Sequence, residues 1–248
     1  MKLFTRPLAA VLVASKKIRE QDSVTFNVGM LTVATAIGVA FGYLYQLAVV
    51  RQLGVEDYGM VGALLAIYSI AIQPASYYEF SVSELVARAQ SAALDPYPRL
   101  MALIAASAVV LTLALAPFLL ALKPLASLLK VSEVGLALVL LSAVAYVLLS
   151  LLRGCLQGYH RFVPYAVNRS LEKVVSFFAV LILLGVGLSS NGAIMAILAA
   201  NLLMLLLALP EVYRLRSASR GVGLASVSLG QALRLRTVRQ ILAGSAPL

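Results

Sequence analysis

Polar residues come in short clusters along this chain, and between them lie six stretches that are continuously apolar. They run at about Val28–Val50, Tyr58–Pro74, Leu100–Leu122, Val134–Leu152, Pro164–Leu188 and Gly192–Leu209. An α-helix needs ~20 apolar residues to cross a hydrocarbon core ~30 Å thick. Membrane barrels alternate apolar and polar positions instead, which these stretches do not. The pattern predicts an all-α fold, a polytopic membrane bundle of six transmembrane helices. It divides the chain into a cytoplasmic amphipathic segment (1–27), a six-span membrane lobe (28–209) and a cytoplasmic basic tail (210–248) that leads into a seventh span cut short.

Composition agrees with this. Apolar residues make up 62% of the chain and charged residues 12%, against about 45–50% and about 25% in soluble domains. The net charge is +10, and its placement sets the expected orientation. With the N-terminus in the cytoplasm, 17 of the 20 basic residues fall on the cytoplasmic side, and only Arg51, Lys123 and Lys130 fall outside. That is the positive-inside bias, with both the N-terminus and the tail cytoplasmic in a multi-pass cell-membrane protein. Basic residues beside span ends are accounted for by anionic headgroups, so membrane lipids rather than nucleic acid are the expected partners. Lys2 and Arg6 before Leu8–Ser15 faintly resemble a signal peptide, but the run is short and lacks a clean cleavage site.

Chemistry-bearing residues are few. One cysteine, Cys155, excludes an internal disulfide, and one histidine, His160, sits in a loop between Tyr159 and Arg161. There is no phosphate-binding glycine loop and no nucleophile–base pairing, so the expectation is no enzyme and no cofactor. Gly38 with Gly42, and Gly154 with Gly158, have the spacing that lets a neighbouring helix approach closely. Between the first two spans, Gly54 offers a left-handed helix end, and Glu56 and Asp57 suit the first turn of the next helix. Arg51 there can cap the first span or pair with Glu56. Pro74 is expected to kink or end the second helix, with the Gln73 amide beside it and Tyr77 and Tyr78 at the interface. A helix carrying Glu79, Glu84 and Arg88 would continue into the cytoplasm. Pro117 would bend the third span, and Asn201 in the sixth reads as interhelical glue.

The fifth span is the most informative. Its clean apolar run, Val174–Leu188, has 15 residues, roughly 22 Å at 1.5 Å per residue and too short to cross. The helix must extend back toward Pro164, drawing in Asn168, Arg169, Ser170, Glu172 and Lys173. Charges at that depth face a bundle interior or an aqueous cavity, or else snorkel to the headgroups. Arg169 and Glu172 are expected to face the interior.

Two segments carry a resemblance. Arg51-Gln-Leu-Gly54 with Tyr58-Gly59 matches R-x-L-G-x-x-x-Y-G, and Leu152-Arg-Gly-Cys-Leu-Gln-Gly158 with Arg161-Phe162 is similar to L-x-G-x-L-Q-G-x-x-R-F. With Asn191-Gly-Ala-Ile194 opening the sixth span, the order resembles that of polysaccharide flippases. These belong to the multidrug/oligosaccharidyl-lipid/polysaccharide exporter superfamily. The resemblance covers about Phe26 to Leu209. It implies one lobe of a two-lobe transporter that flips a polyprenyl-linked oligosaccharide or polysaccharide precursor by alternating access, for cell-surface glycan synthesis. Its partners would be the lipid-linked glycan and a C-terminal lobe or a second copy, the chain being a fragment or a half-transporter. Arg169 and Lys173, with Arg51 at the outer end, would meet the substrate's phosphates; Glu172, Asn168 and Gln73 complete the candidate binding set. Two rivals remain, a cation-coupled multidrug extruder of the same superfamily and a non-transporting scaffold or remnant in a glycan-export complex.

Overall fold

The computed structural model describes residues 5–91, 117 and 121–220, with side chains from 25 to 90, at 117 and from 121 to 214. Six helices form among them: α1 (Thr5–Gln52), α2 (Val55–Ser91), α3 (Leu122–Leu129), α4 (Glu133–Gly158), α5 (Phe162–Gly185) and α6 (Ser189–Arg220). No strand occurs among the described residues. The fold is the all-α membrane bundle. Four helices are long and apolar enough to span a bilayer: α1 from Thr25, α2, α4 and α6. The 24-residue α5 has the length, about 36 Å. It differs in that Arg169, Glu172 and Lys173 fall within any 18-residue stretch of it. The third expected span, with its bend at Pro117, lies almost wholly outside the described residues, as does the tail beyond Arg220.

Several boundaries differ from expectation. α1 runs unbroken through Val28. α2 continues through Pro74 to Ser91, so the proline does not end it. α6 continues through Pro210 to Arg220. Gly54 does not take the left-handed conformation; among described glycines that falls to Gly187 (φ 91°), in the α5–α6 turn. Gly54 instead starts α2, its carbonyl accepting from the Tyr58 amide at 2.9 Å. Glu56 and Asp57 follow in the first turn, where the helix dipole favours them. Arg51 is exposed, and it forms no ion pair with Glu56 among the described residues. The Ser132 hydroxyl caps α4 by accepting from the Gly135 amide at 2.9 Å, and it donates to Asn191 of α6 at 2.7 Å.

α1 lies along α5, and α2 lies along α4, while α6 packs against both α4 and α5. Only two residues join α1 and α2, yet they pack on different partners. They meet at their connected ends, where Tyr45, Ala48, Val49 and Val61 share a core with Val180, Leu184 and Ala193. From there they part. Each buries only 17% of its apolar stretch, against 61% for α4 and 50% for α6. The α2–α4 seam is the tightest. A Cβ on Gly154 would lie 2.5 Å from the Glu79 carbonyl oxygen, and one on Gly158 2.7 Å from that of Ser83. This glycine pair behaves as its spacing predicts. The Gly38/Gly42 pair does not, since Gly42 meets open space and Gly38 only the Lys173 side chain at 3.8 Å. Asn201 of α6 ties the centre by donating to the Tyr68 hydroxyl at 3.0 Å and the Ser142 carbonyl at 3.2 Å.

Candidate functional site

One stripe of α5 faces the bundle: Tyr165, Asn168, Glu172, Ser176, Val180 and Leu184 are all buried. The spacing of three and four residues is that of one helix face. Arg169 and Lys173 each follow a buried polar residue by one position. They therefore lie about 100° further round and emerge at the rim of the stripe.

The buried stripe meets a cation that the sequence reading placed elsewhere. Arg153 of α4 is 1% exposed. Its Nε donates to Asn168 Oδ1 at 2.8 Å, its Nη2 to the Asn168 carbonyl at 3.1 Å, and its Nη1 to Glu172 Oε2 at 2.8 Å. The guanidinium carbon sits 6.0 Å from the centre of the Tyr146 ring. Asn168 in turn donates to the Met204 carbonyl of α6 at 3.0 Å, so one network joins α4, α5 and α6. A buried charge is tolerated only when paired and hydrogen-bonded, and both ions here meet that condition.

The rim carries two more cations. Lys173 Nζ lies 2.7 Å from the other Glu172 oxygen, with 44% of its side chain exposed. Arg169 donates to the Tyr165 hydroxyl at 2.7 Å, and that hydroxyl donates to Glu79 Oε1 of α2, also at 2.7 Å. Arg169 is 3.6 Å from the same carboxylate oxygen and 56% exposed, while Glu79 is 12% exposed. Lys173 thus stands beside Gly38 of α1, and Arg169 beside Glu79 of α2. The cationic rim lines the gap that the parting of α1 and α2 leaves.

Of the six candidate residues, the structure brings four together. Glu172 and Asn168 are interior, and Arg169 and Lys173 are half-exposed at the rim, so Arg169 does not share the burial expected for it alongside Glu172. Arg51 is exposed 13 residues from Gly38, roughly 20 Å along α1. Gln73 is exposed on α2 and takes no part in this network. Sequence reasoning missed Arg153, Glu79 and Tyr165. It ended the fourth span at Leu152 and counted Arg153 among cytoplasmic cations. The signal was Gly154/Gly158: a pair that packs a neighbour must lie on a buried helix, which carries Arg153 inside with it.

These helices define a polytopic membrane bundle with a charged network between its inner helices. No family model matches the sequence, and neither does any curated protein. In fold the chain is similar to a crystal structure of MATE, a multidrug and toxic compound extrusion transporter, in complex with MaD3S. The TM-score is 0.64 at 18% identity, over 88% of this chain and 51% of that one. The chain therefore spans about half the length of that transporter and has the fold of the corresponding half.

Proposed function

We propose that this chain is one lobe of a two-lobe membrane transporter of the multidrug/oligosaccharidyl-lipid/polysaccharide superfamily. Its cargo is a polyprenyl-linked oligosaccharide or polysaccharide precursor, flipped across the cell membrane by alternating access. A second lobe, from the same polypeptide or from a second copy, faces this one across the gap between α1 and α2. The observation that carries the reading is the pair of half-exposed cations, Arg169 and Lys173, lining that gap. Cations aimed into a partly desolvated cleft suit a phosphate-bearing headgroup, which accepts charge-assisted hydrogen bonds.

The rival reading, a cation-coupled drug extruder, needs a carboxylate free to take up a proton or metal ion. Both oxygens of Glu172 already carry protein cations, and Glu79 has Tyr165 and Arg169. That favours a lipid-linked anion as cargo.

Binding of a short-chain polyprenyl diphosphate to the purified chain in detergent tests this, with an organic cation as comparison. The diphosphate is expected to bind, and Arg169→Gln with Lys173→Gln is expected to weaken it at least about tenfold, a loss of ~1.4 kcal/mol. Binding of the organic cation alone, or diphosphate binding indifferent to both substitutions, would overturn the reading.

A further inference from the structure

The two rim cations are each held by a carboxylate, but the carboxylates are not equivalent. When Lys173 turns away, Glu172 keeps the fully buried Arg153 at 2.8 Å. Among the described residues, Glu79 has Arg169 as its one ion-pair partner, at 3.6 Å and joined through the Tyr165 hydroxyl. Glu79 also belongs to a different helix, α2, whose backbone at that residue is pressed against Gly154. It cannot follow Arg169 if the arginine swings into the gap.

Resting on the lipid-diphosphate reading above, we infer that Glu79 is a specificity-determining residue that competes internally for Arg169. A bilayer presents this cleft with a large excess of phosphodiester headgroups, each with a single negative charge on phosphate. Specificity against them is a difference of affinities, and it can be built by placing a rival contact on the protein side. The Glu79 carboxylate is such a rival. A monoanionic phosphodiester gains little by displacing it, because one anion replaces another. A diphosphate brings more charge and more acceptor oxygens, takes Arg169 in a two-pronged contact and reaches Lys173 as well. The exchange is non-covalent: Arg169 leaves Tyr165 and Glu79, and Tyr165 keeps its bond to Glu79.

The test compares two probes, a short-chain polyprenyl diphosphate and phosphatidylglycerol, on the full chain in detergent, for wild type and Glu79→Gln. The amide keeps an oxygen for the Tyr165 hydroxyl but no longer competes as an anion. Phosphatidylglycerol is expected to bind Glu79→Gln about tenfold more tightly, the worth of one charged hydrogen bond. The diphosphate should gain less, so the preference between the two shrinks. Should Glu79→Gln fail to fold, Tyr165→Phe cuts the bridge to Arg169 and should shift the preference the same way. A wild type that binds no polyprenyl diphosphate would bring down the proposed function and this inference with it. Diphosphate binding with a preference unchanged by Glu79→Gln would overturn this inference alone.

Discussion

Arg153 and Glu172 lie 2.8 Å apart with 1% and 2% of their side chains exposed, each on a helix that is otherwise apolar where they meet. The pair bridges two helices that make little other direct contact, since α6 stands against both. Arg153→Met therefore leaves a buried carboxylate with only the rim lysine. The expected loss is about 3 kcal/mol or more, read as a lowered thermal midpoint in detergent. Arg153→Met with Glu172→Leu should recover most of it, because replacing a whole buried pair by apolar side chains is close to neutral. A single variant as stable as the parent would show that the pair does not hold the bundle.

The two glycine pairs should respond oppositely. Gly154→Ala and Gly158→Ala push a methyl against backbone oxygens 2.5 and 2.7 Å from the new carbon. Neither contact relaxes by a side-chain rotation, and each is expected to cost roughly 1–3 kcal/mol. Gly42→Ala meets nothing within 4 Å, and helix propensity alone favours it by up to about 1 kcal/mol. Thermal melts of the three variants decide this; equal effects would contradict the α2–α4 seam.

At the centre of the bundle, the Ser142 hydroxyl is buried without a hydrogen-bond partner among the described residues. Removing an unpaired buried hydroxyl forfeits no interaction, so Ser142→Ala should be neutral or stabilising. Asn201→Leu removes the bonds to Tyr68 and Ser142 and should cost about 1–3 kcal/mol. A clear destabilisation by Ser142→Ala would mean that its hydroxyl is bonded in the membrane.

Orientation follows from the distribution of basic residues and is open to labelling. Arg161 and Ser189 are exposed at opposite ends of α5, whereas Ser190 is buried against Met60. With Cys155 replaced, a cysteine at 189 is expected to react with an impermeant maleimide from outside intact cells, and one at 161 only after permeabilisation. The reverse pattern would invert the topology.

Much of the bundle was legible because continuous apolar stretches have one physical solution in a bilayer. The polar cluster of α5 was legible too, since its apolar run is too short to cross and Asn168, Arg169, Glu172 and Lys173 had to be drawn in. What escaped was pairing. Nothing local to Arg153 distinguishes a cation at a span's end from one inside it; the difference lies in Asn168 and Glu172, which only the fold brings opposite. Glu79 was misread for a related reason. α2 outruns the apolar stretch that marked it, and its extension is covered by α4 rather than by water. Gly42 shows the converse: its spacing was right for a packing seam, yet no helix came to use it.

The Gly154/Gly158 seam fastens α2 to α4, and α1 rides on α5. The two walls of the gap therefore belong to separate pairs, and at the charged end those pairs are joined through the reach of one guanidinium. Arg153 acts there as a gauge: a shorter or longer side chain at that position would reset the distance between α1 and α2, and with it the width of cargo the opening admits.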